Sequence, residues 1–189
     1  MLLPDKPSVA VMPFANLSND PEQEVLVDGI VEDVIGALSR FTSLFVINRG
    51  STFSYKGQAT TAAQVSKDLG VRYIVEGSLR KSGNRVRITA QLVDAVNNAS
   101  LFSEQFDGVL DDVFALQDQI TEKIVLAVAP EIDAQERQRV RRLPVSDLSA
   151  WGLYQRSVWH TDRLNREDFT IGLSLLEEAV AREPGLAAA

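Results

Sequence analysis

The chain of 189 residues contains no cysteine and a single histidine. The absence of cysteine excludes a disulfide framework, thiol catalysis, Cys-ligated zinc and a lipoprotein anchor on this chain. The one histidine, His160, stands at the end of a predicted helix beside Trp159, which favours a packing or surface role over a Ser-His-Asp triad. No Gly-rich phosphate-binding motif is present either. We therefore expect no catalytic residue, no metal site and no cofactor.

Positive charge and long apolar runs are also scarce. The 19 Lys and Arg residues are outnumbered by 26 Asp and Glu residues, which gives a net charge of −7. An acidic chain is poorly suited to neutralise a phosphate backbone, so we expect no binding to nucleic acid. The sequence has neither a signal peptide nor an apolar run of roughly 20 residues. We expect no membrane contact and a cytoplasmic location, and leave open a membrane span upstream.

The first half of the pattern alternates strands and helices, which favours parallel pairing through right-handed crossovers. Helix signals are clear: Asp20 and Pro21 open one helix, while Thr61 and Gly70 bound another. Between them lies a long polar connection, 48–59. The predicted order is a strand at 7–14, a helix, a strand at 44–47, a helix, and a strand at 71–80.

The second half of the pattern predicts an antiparallel meander followed by one helix. Strands at 85–94 and 101–106 follow turns, and clean alternation in 85–94 indicates one covered and one wet face. A helix begins near Asp111 and should end or kink at Pro130, with a polar helical continuation over 131–142. The result is an α/β (α+β) fold with a mixed five-stranded sheet and three helices, in the order β-α-β-α-β-β-β-α.

Two further helical patterns, 148–161 and 166–183, predict a helical hairpin at the C-terminal end. A single repeat hairpin cannot bury its own apolar face, so a chain that stops at 186–189 is expected to be a piece of a longer protein. We place the domain boundary in the linker 143–147, which gives predicted domains at 1–143 and 144–189. The residues expected to face inward from the second helix are Phe169, Leu173, Leu176, Ala179 and Val180.

Six ordered motifs resemble those of TolB-like amino-terminal domains, over about residues 5 to 140. A segment similar to a tetratricopeptide unit follows at 151–184. It departs from the usual pattern in having Ser157 where a glycine is common and Gly172 where an alanine is usual. The motifs are PSVAVMPFANLS at 7–18, DPEQE at 20–24, DGIVED at 28–33, LGVRYIVEGS at 69–78, RVRITAQLVD at 85–94 and VFALQD at 113–118.

The resemblance implies a regulatory or interaction module without catalytic residues. Similar regions lie downstream of the catalytic domain in bacterial class III adenylate/guanylate cyclases, with a tetratricopeptide array next. They also follow winged-helix DNA-binding domains in transcriptional regulators. The first expectation is thus a non-catalytic module of a cyclase that contacts protein partners or other domains of its own chain. The alternative is a sensor module of a DNA-binding regulator.

A candidate anion-binding loop follows the second strand, where ligands bind in open sheets. Its polar and basic residues favour a small-molecule or phosphate-ester ligand, bound or hydrolysed, as a third hypothesis. The competing interpretation is a capped surface loop whose Phe53 and Tyr55 close the edge of the core. The candidate ligand-binding residues are Arg49, Ser51, Thr52 and Lys56.

Candidate interaction surfaces are the wet face of the sheet and the aromatic residues of the hairpin. The wet face is expected to carry Arg80 and Arg87, with cross-strand charge pairing as the competing interpretation. The hairpin aromatics Trp151, Tyr154 and Trp159 are expected to be exposed and to seek a partner, so we expect a homodimer through the hairpin.

Overall fold

The computed structural model describes residues 6–18 and 20–185. Residues 1–5 and 186–189, which end the two predicted domains, lie outside the described residues, as does residue 19. The chain forms two compact units, Met1–Glu131 and Ile132–Ala189. Their division falls twelve residues before the predicted boundary at 143/144, which stays a prediction.

A mixed sheet forms the centre of the first unit and confirms the predicted α/β class. The strand order is β3-β1-β4-β5-β6, with β2 paired to β4. Strand β1 is parallel to β3 and β4, and β2 is parallel to β4, whereas β4, β5 and β6 are antiparallel. The strands are β1 Ser8–Val11, β2 Ala15–Asn16, β3 Phe45–Val46, β4 Tyr73–Ser82, β5 Arg85–Asp94 and β6 Ala99–Val109.

The described sheet has six strands where five were predicted, because the strand predicted at 7–14 ends at Val11 and the chain pairs again at Ala15–Asn16, just after the predicted range. Val11 lies opposite Val75 and Ala15 opposite Ser78, so three residues on one side face two on the other. The extra residue makes a bulge at Pro13, whose ring nitrogen cannot donate to the sheet. The chain therefore pairs with β4 twice, once before and once after the bulge.

Helix α3 begins and ends at its predicted signals, whereas α1 begins at Gln23 with Glu22 rather than the predicted Asp20 at its N-cap. Helix α3 is capped by Thr61, which accepts a hydrogen bond from the Gln64 amide, and Gly70 ends it with φ of 65°. Asp20 accepts from the Glu22 amide at 3.1 Å just ahead of α1. The helices are α1 Gln23–Leu38, α2 Arg49–Phe53, α3 Ala62–Leu69 and the start of α4 Val113–Arg142.

One helical prediction was wrong. Helix α2 occupies part of the predicted connection 48–59, because Asn48 caps it by accepting from the Ser51 amide at 3.1 Å. Helix α4 runs through Pro130 to Arg142, which agrees with the predicted helical continuation over 131–142. Proline there removes the hydrogen bond to the carbonyl of Leu126. Leu126 is 66% exposed, so water can satisfy that carbonyl.

The core of the first unit lies on both faces of the sheet. On one face, Ala10, Met12 and Ile74 pack with Val65 of α3. On the other face α1 and α4 meet closely: a Cβ at Gly29 would lie 2.1 Å from the Gln117 side chain. Beyond α3 the first face is uncovered, so the alternation of β5 has the predicted buried and wet sides.

The second unit is built on the end of α4, a 3₁₀ turn Val145–Asp147, and the helices α5 Ala150–Thr161 and α6 Arg166–Arg182. Arg156 donates to the carbonyl of Leu143 at 2.5 Å and to that of Val140. These bonds satisfy carbonyls at the end of α4 that have no helical partner. The apolar cluster of this unit contains Val140, Leu148, Leu153, Leu175 and Ala179.

The predicted inner face of α6 was partly wrong. Phe169, Leu173 and Val180 are 59%, 48% and 39% exposed. The helices instead meet at Gly172, where a Cβ would lie 3.1 Å from the carbonyl oxygen of Ser157. Because Gly172 has no side chain, α6 approaches α5 along this line and turns the larger residues outward.

Gly77 of β4 should not tolerate a side chain. A Cβ there would lie 2.4 Å from the Thr89 carbonyl oxygen and 2.7 Å from a ring carbon of Phe14. We expect Gly77→Ala to lower the free energy of unfolding in urea by about 2–3 kcal/mol through overpacking. Gly36→Ala is the matched control, since nothing lies within 4 Å. It should stabilise helix α1 by about 0.5–1 kcal/mol. Equal effects of the two substitutions would contradict this packing.

Candidate functional site

A groove of about 600 Å³ opens at the place where α3 stops covering the sheet. The bulge after β1 forms one side, and the segment between α2 and α3 forms another. Its position at the carboxyl end of parallel strand β1 is where open α/β sheets bind ligands. The polar residues that line it are Asn16, Glu24, Tyr55, Lys56, Gln58, Thr60, Thr61, Glu76, Ser78, Thr89 and Gln91.

The charges in this groove are arranged around Lys56. Its ammonium nitrogen lies 2.6 Å from the Asp28 carboxylate and 2.7 Å from that of Glu24. Burial opposes the charge of Lys56, but the hydrogen bonds to Asp28 and Glu24 outweigh it and raise the pKa of the lysine. The hydrogen bond from Lys56 in turn lowers the pKa of Glu24. Two carboxylates against one ammonium leave this end of the groove negative.

The predicted anion-binding residues all contact the protein itself. Arg49 pairs with Glu32 at 3.3 Å, and its guanidinium carbon lies 3.8 Å from the centre of the Phe53 ring. Thr52 is fully buried and its hydroxyl donates to the Arg49 carbonyl at 3.2 Å. The Ser51 amide donates to the cap residue Asn48. Among the four, Lys56 alone lines the groove, so the structure does not bring them together as a cradle.

Sequence reasoning did not predict the two acidic partners of Lys56. Glu24 and Asp28 are four residues apart on α1 and therefore share one helical face. Two carboxylates at that spacing favour a basic partner nearby. The partner, Lys56, lies 28 residues after Asp28 in the chain, so the sequence pattern does not identify it. Among the described residues, no group of three His, Asp or Glu side chains is arranged to hold a metal ion.

The wet face of the sheet carries its predicted charges beside this groove. Arg80 lies opposite Arg87 in the register of β4 and β5. Arg87 binds Asp107 of β6 through two hydrogen bonds of 2.7 and 3.0 Å, and Gln91 donates to Glu76 at 3.2 Å. These contacts agree with cross-strand pairing, and a role of this face in binding a partner stays a prediction.

The predicted aromatic surface of the hairpin has three different environments. Trp151 is 8% exposed, so its predicted exposure was wrong. It lies one turn from Tyr154, and their ring centres are 5.3 Å apart, which helps cover it. Trp159 stacks against the guanidinium carbons of Arg141 and Arg163 at 4.6 and 3.9 Å. Tyr154, at 36%, remains exposed.

His160 joins the two hairpin helices. Its Nδ1 lies 2.6 Å from Oδ1 of Asp168, and both side chains are mostly buried. Hydrogen bonds from Asn165 and from His160 lower the pKa of Asp168. The hydroxyl of Ser157 donates to the Tyr154 carbonyl at 2.7 Å rather than to this histidine. The pair therefore has the contacts of a structural link between α5 and α6.

Comparison with known families assigns the first unit. Residues 5–123 match the family described as "HilA/YgeH-like transcriptional regulator, second domain". The chain belongs to this family. It is also 42% identical over 187 residues to "Putative adenylate cyclase 3" from Rhizobium meliloti (strain 1021), which covers 99% of this chain. The chain spans 32% of the length of that relative.

Solved structures show a more limited likeness. Lipoprotein GNA1162 from Neisseria meningitidis is 18% identical with a TM-score of 0.49, over 66% of this chain and 99% of that chain. TolB from Acinetobacter baumannii is 17% identical with a TM-score of 0.46, over 68% of this chain and 30% of its own. Among residues 6–18 and 20–185, every helix is too short or too polar to span a bilayer.

Lys56→Met should destabilise the first unit at neutral pH and much less in acid. Because the pKa of Glu24 is lowered in the folded state, the pair contributes stability above the unfolded pKa, and this contribution is lost as pH falls through the folded value. We expect a loss of about 1 kcal/mol at pH 7. The loss should shrink below the usual Glu24 pKa of 4.5.

Urea unfolding across pH measures this effect, and Lys67→Met on α3 is the control. Lys67 is exposed and makes no ion pair in the described part of the chain. A difference between wild type and Lys56→Met that is independent of pH would contradict the pairing. So would an equal effect of the Lys67 variant.

Proposed function

We propose that the chain is a non-catalytic regulatory module of a bacterial signalling protein, with an adenylate or guanylate cyclase as the first candidate. The observation that carries the proposal is the occurrence of related sequence in two settings. One is the second domain of a transcriptional regulator, and the other is about a third of a putative adenylate cyclase. A domain shared by proteins with different outputs is best explained by what they have in common, which is regulation.

The contacts of the first unit support a non-catalytic role. The basic residues that were candidates for substrate binding are held by carboxylates, as at Lys56 with Glu24 and Asp28. A hydrolase that uses Arg49 and Lys56 would first have to break these pairs. About two-thirds of the cyclase relative lies outside the match, which leaves room for a catalytic domain elsewhere.

The second candidate is a sensor module of a winged-helix transcriptional regulator. The family description favours it directly, since it names a transcriptional regulator. The two candidates differ only in the domain that precedes the module. We propose a cytoplasmic location in either case, because both outputs act there.

We propose that helices α5 and α6 are a tetratricopeptide-like hairpin that binds protein. Support comes from the apolar residues left on its surface. Phe169 and Leu173 are four residues apart on α6 and therefore share one face. Such a face fits another helical hairpin of the same protein, a protein partner or a second copy of the chain.

The purified chain should form no cyclic AMP from ATP and Mg²⁺. In the Rhizobium meliloti relative, deletion of the matching region should leave basal cyclic AMP formation within about twofold and should alter its regulation. Product formation is measured by chromatography, with the intact relative as positive control. Cyclic AMP synthesis by the isolated chain would contradict the non-catalytic role.

Self-association should depend on the exposed face of α6. We expect the chain to form dimers at high concentration in light scattering, and Phe169→Ser with Leu173→Ser to shift the population to monomer. The control is Phe114→Ser, a change of the same kind at an 80% exposed position of the first unit. A monomeric wild type at every concentration would exclude the homodimer.

A further inference from the structure

A second groove, of about 530 Å³, runs between α1 and α4 on the side of the first unit away from Lys56. Its volume lies within the range of roughly 300–1,000 Å³ that is typical of small-molecule sites. Gly29 of α1 faces Gln117 of α4 at one end of the groove, and Phe41 and Leu126 line the other end. The two helices therefore run in the same direction along it. The lining residues are Asp33, Ala37, Arg40, Phe41, Asp118, Thr121, Glu122, Val125 and Leu126.

One end of the groove holds the neighbouring carboxylates of Asp33 and Asp118, with Glu122 one turn further along α4, and no basic side chain is paired with them in the described part of the chain. Asp33, Asp118 and Glu122 make no ion pair or side-chain hydrogen bond within residues 6–18 and 20–185. Other carboxylates of this unit are paired, such as Asp20 with Lys81 and Asp107 with Arg87, each at 2.7 Å. Burial and the neighbouring charges of Asp118 and Glu32 raise the pKa of Asp33. A bound cation would relieve this repulsion.

A buried hydroxyl without a partner lies in the same groove. Thr121 is 9% exposed, and its hydroxyl oxygen has no hydrogen-bond partner among the described residues. A buried polar group that is left unbonded costs stability, so such groups are uncommon unless a ligand or water serves them. Thr121 is three residues from Asp118 and therefore lies on the same face of α4.

The other end of the groove is apolar and carries one positive charge. Phe41 and Leu126 are 40% and 66% exposed. Arg40 lines this end and makes no ion pair in the described part of the chain. It stands seven residues after Asp33, just beyond the end of α1 at Leu38. A second cation on the ligand would be repelled there, whereas an apolar group would be accepted.

We propose that this groove binds a small organic monocation. Its ammonium or guanidinium group lies between Asp33 and Asp118, where the Thr121 hydroxyl adds a hydrogen bond, and its apolar body lies along Phe41 and Leu126. A metal ion fits less well, because no three acidic side chains are grouped to coordinate one. The polarity of the groove, acidic at one end and apolar with Arg40 at the other, also disfavours a polyamine.

Amide NMR titration of the whole chain with phenethylamine tests the proposal. We expect saturable shift changes confined to residues near 33–41 and 118–126, with a dissociation constant on the order of 1 mM or tighter. Phenethyl alcohol, which lacks the charge, and spermidine, which carries several, should each bind at least fivefold more weakly. Changes elsewhere, or equal binding of the alcohol, would overturn the proposal. Equal binding of spermidine would overturn the monocation preference.

Substitutions in the groove separate binding from folding. Asp33→Asn and Asp118→Asn should each weaken phenethylamine binding at least threefold, and together at least tenfold. Both remove repulsion, so the thermal midpoint should stay unchanged or rise. Thr121→Val should keep or raise the midpoint while weakening binding severalfold. Glu104→Gln, on the exposed strand β6, is the control and should bind as the wild type does. Unchanged affinity in the Asp33 and Asp118 double variant would overturn the proposal.

Discussion

Strand β4 is the element on which the rest of the first unit depends. One edge of β4 binds β1 and β2 on either side of the bulge at Pro13, and the other edge binds β5 along ten residue pairs. Both ends of the β4–β5 pair are fixed. At one end Gly83, with φ of 59°, makes a two-residue turn. At the other end Asp94 binds the Arg72 guanidinium at 2.7 Å and also accepts from the amides of Val96 and Asn97. With its register held in this way, β4 sets the position of every other strand.

The two grooves follow from how helices cover this sheet. Helix α3 covers only the first part of one face, so the groove around Lys56 opens at its border and passes into the wet face. Helices α1 and α4 cover the opposite face, and their outer sides form the second groove. The difference between them is electrostatic. In the first groove Lys56 pairs with the α1 carboxylates Glu24 and Asp28, whereas in the second Asp33 of α1 and Asp118 of α4 lie close together without a basic partner. The second groove is therefore the better candidate for a ligand.

Sequence reasoning predicted the parts of the fold that depend on local patterns. Alternation in 85–94 gave β5 with its limits, and Thr61 and Gly70 cap α3 as expected. Most failures depend on tertiary contacts, and helix α2 is the exception, because its cap joins Asn48 to the nearby Ser51 amide. The bulge at Pro13 requires the register of β4, and the orientation of α6 requires the close approach at Gly172. Both grooves were missed for the same reason, since Lys56 meets Glu24 and Asp33 meets Asp118 only after the helices are placed. The anion site predicted at Arg49 and Lys56 failed for the same reason, because the carboxylates that pair with these residues are distant in the sequence.

A regulatory module needs a rigid frame on which a ligand site and a protein surface can be held, and here β4 provides it. Native-state hydrogen exchange tests this dependence most directly, because it ranks the free energy of opening of each amide. The account predicts that amides in the centres of β4 and β5 exchange slowest and together, through global unfolding of the first unit. Amides of the outer strand β6 should exchange faster. Slower exchange in β6 than in β4, or separate opening of β4 and β5, would contradict the central place of this strand.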